Sequence, residues 1–352
     1  MYLNLNADID LIKEAIRVFN NIGDFRLVIL ADEGRFQYEN FDIQYDALVR
    51  LTGQGVDREL AVECKKKLTQ ATIGAIVHQI QRFPIKGLLI TEYVNPNMAE
   101  RLKKMDIQFI DTVGNTYLNE PPVFIYIRGN KPPENLQTRE LRRAFQPTGL
   151  KIIFAFLCNP NLVNAPYRDV AKAAKVALGT VGWVMRDLKE MGYLLEMGKR
   201  GRRLVNKKKL LERWVMAYAE KLRPKLIVGK YKTLNQDWYK DVLLNNYQGY
   251  WGGEVAAAKL KTFLKPEKVT IYTAEINTNL LLDNRLRKDP KGNIEFLKVF
   301  WNAEYIGHNW GISDLAPPIL IYADLLATGE ARNIETAEII YEQELAGFIR
   351  ED

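Results

Sequence analysis

The sequence predicts an α+β multidomain protein, and three observations carry that expectation. Helix-like and strand-like runs alternate over residues 1–137, a mostly helical stretch follows over 138–230, and a third block, 231–352, mixes both patterns. At 352 residues the chain is too long for one ordinary core. Charge is also segregated. Residues 139–232 hold 22 Lys and Arg against 7 Asp and Glu, whereas the whole chain is only +7, so everything outside this window is net acidic. Such a concentration of cations reads as a footprint for a polyanion.

Composition narrows the setting. No run of about 18 uncharged apolar residues occurs, so no membrane span is expected. The opening MYLNLNADIDLIKEAI lacks the basic-then-apolar order of a secretory signal. Two cysteines, Cys64 and Cys158, are too few for a disulfide framework, and a reducing, cytoplasmic location fits. The two histidines, His78 and His308, argue against His-rich zinc sites and Ser-His-Asp chemistry.

In the first block, Ile9, Ile12, Ala15, Ile16 and Phe19 make one face of an opening helix. Strand-like runs follow at 25–30, 43–51, 60–64 and 87–90, with a helix predicted over 69–83 between the last two. Further strands are expected at 107–110 and 123–127, and Asn130-Lys131-Pro132-Pro133 ends the pattern. Alternation along the third strand puts Leu60, Val62 and Cys64 on one face and Ala61, Glu63 and Lys65 on the other.

Asp46, followed by Glu63 and Lys65 two residues apart, resembles the active-site pattern of the PD-(D/E)XK nuclease superfamily. The helix–strands–helix order is similar to that restriction-endonuclease-like α/β fold. The resemblance implies a catalytic set of Asp46, Glu63 and Lys65. Asp46 and Glu63 would hold Mg²⁺, and Lys65 would stabilise an attacking hydroxide or the developing charge. Glu14 on the opening helix stands where some members add a third carboxylate, and Gln79 is a weaker candidate. Fold alone does not establish cutting.

The second block carries YRDVAKAAKVALGTVGWVMRDLKEMGYLLEMGKRGRRLV (167–205). An apolar helix over 150–157 precedes it. Paired helices are read over 167–174 and 178–191, then short strands at 193–197 and 203–205, then a helix over 207–222 that Pro224 stops. Two short helices and a basic hairpin form the order of a winged helix-turn-helix. Val181, Val184, Met185, Leu188 and Met191 recur at helical spacing and face inward toward Phe156, Val170 and Ala174. The opposite face carries the candidate DNA readers Thr180, Trp183, Arg186 and Lys189 beside Asp187, with Gly179 and Gly182 leaving bare backbone. Lys199, Arg200, Arg202 and Arg203 on the hairpin are candidate phosphate contacts, extended by Lys207, Lys208 and Lys209.

The third block is expected to be a mixed α/β C-terminal interaction domain. Helices are read at 238–244, 253–263, 317–327 and 334–346, and strands at 268–272 and 294–300. Gly249, Gly252 and Gly253 suggest a tight turn beside Tyr250 and Trp251, but no Lys-Ser/Thr follows to make a phosphate loop. Trp301, Tyr305 and Trp310 read as core or interface residues. The carboxylates Glu254, Glu275, Asp283, Asp314 and Asp324 have no metal-site spacing.

DTVGNTYLN (111–119), YWGGEVAAAKL (250–260) and APPILIYADLLATGEARNIETAEIIYE (316–342) together resemble the AbiEi-type antitoxins of type IV toxin–antitoxin systems. The resemblance implies a transcriptional regulator that binds its own promoter and counteracts a nucleotidyltransferase-like toxin. In the best-known layout the winged helix comes first; here a nuclease-like block precedes it. Duplex DNA is the expected partner, and paired half-sites would suit a homodimer. The alternative is a Mg²⁺-dependent DNA endonuclease or Holliday-junction-resolvase-like enzyme using Asp46, Glu63 and Lys65.

Overall fold

The computed structural model describes residues 2–38, 41–69, 72–131, 143–260, 264–306 and 314–349. Pro132-Pro133, His308, Trp310 and the end of the helix read over 253–263 lie outside them. The chain divides into two compact units, Met1–Arg139 and Glu140–Asp352. The boundary read near residue 230 therefore falls inside the second unit.

The first unit opens with α1 (Tyr2–Phe19), then β1 (Arg26–Tyr38), β2 (Phe41–Gly53) and β3 (Val56–Lys65), which pair antiparallel. α2 (Ile73–Gln81) leads to β4 (Gly87–Thr91), and α3 (Pro96–Lys104) to β5 (Gln108–Asp111). Both connections run between parallel strands, which need crossovers of this length. β6 (Thr116–Glu120) and β7 (Val123–Ile127) complete a seven-stranded sheet in sequence order. Ile12, Ala15, Ile16 and Phe19 of α1 pack with Ala47, Val49, Val62, Cys64, Leu88 and Ile90 in one buried cluster. The 3.6-residue and two-residue periods seen in the sequence thus meet on one face of the sheet. Apolar periodicity does not reveal α3, because its surface is mostly polar. Its signal is Asn95-Pro96: Asn95 Oδ1 accepts the Met98 N–H at 3.0 Å, and the proline occupies the first turn.

The second unit begins with α4 (Pro147–Cys158), α5 (Tyr167–Ala173) and α6 (Leu178–Glu190), followed by the hairpin β8 (Leu194–Glu196) and β9 (Arg202–Leu204). α7 (Lys207–Ala217) runs into a π turn, Tyr218–Leu222, and then α8 (Arg223–Leu226). Pro224 therefore does not stop the helical path. The π turn starts a fresh segment, and the proline sits in its first turn, where no N–H is needed. β10 (Ile227–Lys232), β11 (Gly249–Gly252), α9 (Gly253–Lys259), β12 (Val269–Thr273), α10 (Thr278–Asp283), β13 (Arg287–Lys288) and β14 (Ile294–Lys298) follow. The chain closes with α11 (Pro318–Thr328), α12 (Ala331–Ile340) and α13 (Ala346–Ile349).

The second sheet has the order β11-β12-β14-β10-β13, with β12 and β14 parallel. Gly249-Tyr250-Trp251-Gly252, expected as a tight turn, is instead its edge strand. The residues expected to be helical over 238–244 form 3₁₀ turns at Trp238–Lys240 and Leu244–Tyr247.

The basic helices and the third block share one core. Phe154 of α4 lies 5.4 Å from the Trp214 ring and 5.0 Å from Phe300. The Asn302 N–H donates to the Ala173 carbonyl at 2.9 Å. Among the described residues, no helix is long and apolar enough to cross a membrane.

Candidate nucleic-acid interface

α6 is amphipathic, and each face has a distinct environment. Val181, Val184, Met185 and Leu188 are buried, as are Phe156, Val170 and Ala174 toward which the sequence aims them. Trp183, Arg186 and Lys189 are exposed on the other side, and Thr180 is half-buried. Gly179 meets nothing within 4 Å of an added Cβ, while Gly182 lies beside Tyr167. The helix and hairpin bound a groove of about 420 Å³, lined by Tyr167, Trp183, Arg186, Lys189, Glu196 and Arg202 among others.

Two connections hold this surface in shape. Asp187 Oδ2 accepts the Ala144 N–H at 2.9 Å and fixes the turn Arg143–Phe145 against α6. Asn164 clamps the hairpin: its Oδ1 accepts the Arg202 N–H at 2.6 Å, and its Nδ2 donates to the Arg202 carbonyl at 2.8 Å. The sequence pattern puts Asp187 on the outward face, and neither clamp has a local signature, because each joins residues far apart in the chain.

The hairpin cations divide into two groups. Lys199 and Arg200 are exposed at the tip, and Arg203 is exposed on β9. Arg202 is half-buried; its Nη1 donates to the Val163 carbonyl at 3.1 Å, and its guanidinium lies 5.5 Å from the Tyr167 ring centre. Lys189 Nζ lies 2.5 Å from Glu196 Oε2 and holds that carboxyl below its ordinary value. Lys207 Nζ donates to the Phe348 carbonyl at 3.0 Å.

In the first unit, Ala47 pairs with Val62, and Asp46 lies one step beyond. Strand alternation therefore puts Asp46, Glu63 and Lys65 on the face opposite the α1 cluster. Asp46 Oδ2 accepts the Cys64 N–H at 2.8 Å, and Glu63 is ion-paired with Lys65. Glu14 does not join them. Helical periodicity turns Ile12, Ala15 and Ile16 inward and leaves Glu14 exposed, 2.7 Å from Arg17. Gln79 is buried, with neither Nε2 nor Oε1 hydrogen-bonded. Among the described residues, no group of three or more His, Cys, Asp or Glu side chains is gathered as a metal site.

In the second unit, a buried network surrounds Asp324. Tyr218 and Tyr272 hydroxyls donate to its two oxygens at 2.8 Å each, and Arg223 Nε donates at 3.0 Å. Arg223 Nη2 continues to Glu295 Oε2 at 2.9 Å. Burial opposes the Arg223 charge, but Asp324, the two tyrosines and Glu295 outweigh it and hold its pKa well above the ordinary value. Glu254 is buried in a second network, accepting from Arg332 and Asn333.

Residues 203–346 match the family model described as "Transcriptional regulator, AbiEi antitoxin, Type IV TA system". The match to that family is confined to these residues, about two fifths of the chain. No curated protein and no solved structure matches the chain. The AbiEi match runs from β9 into α13 and so takes in the Asp324 and Glu254 networks. It also contains two of the three segments that carry the sequence resemblance, 250–260 and 316–342. The third, 111–119, lies in the first unit and runs from the end of β5 through a hydrogen-bonded turn into β6. There Asp111 accepts the N–H groups of Val94, Val113 and Asn115.

Proposed function

We propose that this chain is a DNA-binding transcriptional regulator of the type IV antitoxin class, and that α4–α6 with the β8–β9 hairpin act as its winged helix-turn-helix. One observation carries the reading: exposed Trp183, Arg186 and Lys189 on α6 stand across a groove from a hairpin tipped by Lys199 and Arg200. On duplex DNA, α6 would enter the major groove and the hairpin would lie along phosphates. The cytoplasm is the setting that fits this activity.

Binding of labelled duplex across a salt series tests the reading. Arg186→Ala is expected to lower affinity for a selected site while leaving random duplex little changed. Lys199→Ala with Arg200→Ala is expected to weaken every duplex and flatten the log–log salt slope, by about 0.9 for each phosphate no longer neutralised. Equal affinity of the double variant and wild type at moderate salt defeats the assignment. By the AbiEi-type resemblance, a nucleotidyltransferase-like toxin is the protein partner, and co-expression with such a toxin should restore growth. Two half-sites per operator would require two copies of the chain, which light scattering of the complex measures.

A second reading rests on Asp46, Glu63 and Lys65 sharing one face of the first sheet. The two carboxylates would hold Mg²⁺ only with water or a substrate phosphate completing the shell, since each already has a partner. Bound there, the ion would polarise a phosphodiester, and Lys65 would neutralise developing charge. Cleavage of plasmid or branched DNA with Mg²⁺, abolished in both Asp46→Ala and Lys65→Ala, supports an endonuclease. Intact DNA under the same conditions removes it.

A further inference from the structure

Trp183 stands on the outward face of α6 with 47% of its surface exposed. Burying an indole elsewhere would stabilise the fold, so its exposure calls for another explanation. Two guanidiniums flank it: Arg143 Cζ lies 4.8 Å and Arg186 Cζ 5.0 Å from the ring centre. Arg143 is held there through the Ala144–Asp187 hydrogen bond. Among the described residues the Arg186 guanidinium makes no side-chain hydrogen bond, and its planar fork of donors rests against the indole. A guanidinium resting against a ring has less freedom to lose on binding. Beside the indole, Gly179 leaves the helix backbone open, which allows a second surface to come close.

Two binding chemistries therefore stand side by side: a pre-positioned bidentate donor and a flat apolar face. In the major groove, guanine offers O6 and N7 to an arginine fork, and thymine alone among the four bases offers a C5-methyl group. We infer that this pair reads a thymine next to a guanine, with Arg186 donating to the guanine and the Trp183 indole covering the thymine methyl. The inference rests on the duplex-DNA reading above and makes Trp183 and Arg186 the specificity-determining residues of that site. Arg143 acts by positioning the indole.

The test begins with duplexes enriched from random sequence by the full chain. Each thymine of the enriched site is replaced in turn by deoxyuridine, which removes only the methyl, and each guanine by 7-deazaguanine, which removes only N7. One thymine-to-uracil exchange is expected to weaken wild-type binding about fourfold, the value of one buried methyl-sized group. Trp183→Ala should bind more weakly and lose that sensitivity, while Trp183→Phe, which keeps a ring, should retain part of it. 7-Deazaguanine at the neighbouring position should weaken wild type roughly tenfold and leave Arg186→Ala unchanged. Tolerance of every uracil exchange by wild type, or undiminished sensitivity in Trp183→Ala, overturns the inference and leaves DNA binding standing. Failure to enrich any duplex over RNA removes the DNA reading itself, and this inference with it.

Discussion

Arg200 and Arg202 are two positions apart in one basic run, yet their surroundings differ. Arg200 is exposed at the hairpin tip, whereas Arg202 is fastened to the Val163 carbonyl and to Asn164. The sequence shows only that both are cations, and so it assigns both to phosphates. The difference arises from contacts some 38 residues away in the chain, which no local pattern encodes. Gly201 lies between them with φ 81° and ψ −143°, a conformation nearly restricted to glycine, and an added Cβ would sit 2.5 Å from Asn164 Oδ1. Gly201→Ala is therefore expected to destabilise the second unit by about 1–3 kcal/mol and to loosen the hairpin. A lower melting temperature together with weaker duplex binding would be the signature. An unchanged melting temperature would mean that the Asn164 clamp does not hold this turn. Asn164→Ala should reproduce the effect with glycine intact, at about 1 kcal/mol.

Among the elements, those with a clear period (α1, α6 and β3) or a nearly unbroken apolar run (β4 and α11) are legible in the sequence. Several others are not. β13 pairs through only two residues, and α10 is one and a half turns, so neither can show a period. β10 follows α8 without a break, its strand signal masked by the helix before it. The Asp324 network is equally invisible, since it gathers residues from α8, β12, β14, α11 and the π turn. Its outer member gives a pH prediction. Burial pushes the Glu295 carboxyl up, but Arg223 and Lys230 pull it further down, so its pKa lies below the ordinary 4.5. A carboxylate with a lowered folded pKa stabilises the fold in full above its unfolded value and loses that contribution as pH falls through the folded one. Wild type should therefore lose stability below about pH 4.5 more steeply than Glu295→Gln, which is itself expected to be about 2 kcal/mol less stable at neutral pH. Parallel pH–stability curves for the two proteins would show that the ion pair contributes nothing. Tyr218→Phe removes one of the donors to buried Asp324 and should lower stability by about 1–2 kcal/mol at neutral pH, read by chemical denaturation.

At the scale of the whole chain, the segregation of charge seen in the sequence can be set against the two units. The cationic window falls in the second unit apart from its first residue, and so do the helix pair, the hairpin and the AbiEi match. What the sequence does not disclose is that the second and third blocks share a core, because the contacts of Phe154 with Phe300 and of Ala173 with Asn302 are long-range. Electrostatic influence between exposed charges fades beyond a Debye length of about 8 Å at physiological salt. The salt slope of DNA binding is set by phosphates actually contacted, not by net charge. If α6 and the hairpin make those contacts, a 140–352 fragment should bind the selected duplex with the same log–log slope as the full chain, even though removing residues 1–139 changes the net charge. Any difference in affinity should then be the same at every salt concentration. A shallower slope in the fragment would mean that the first unit contacts phosphates as well, and would move part of the DNA site onto the sheet that carries Asp46, Glu63 and Lys65.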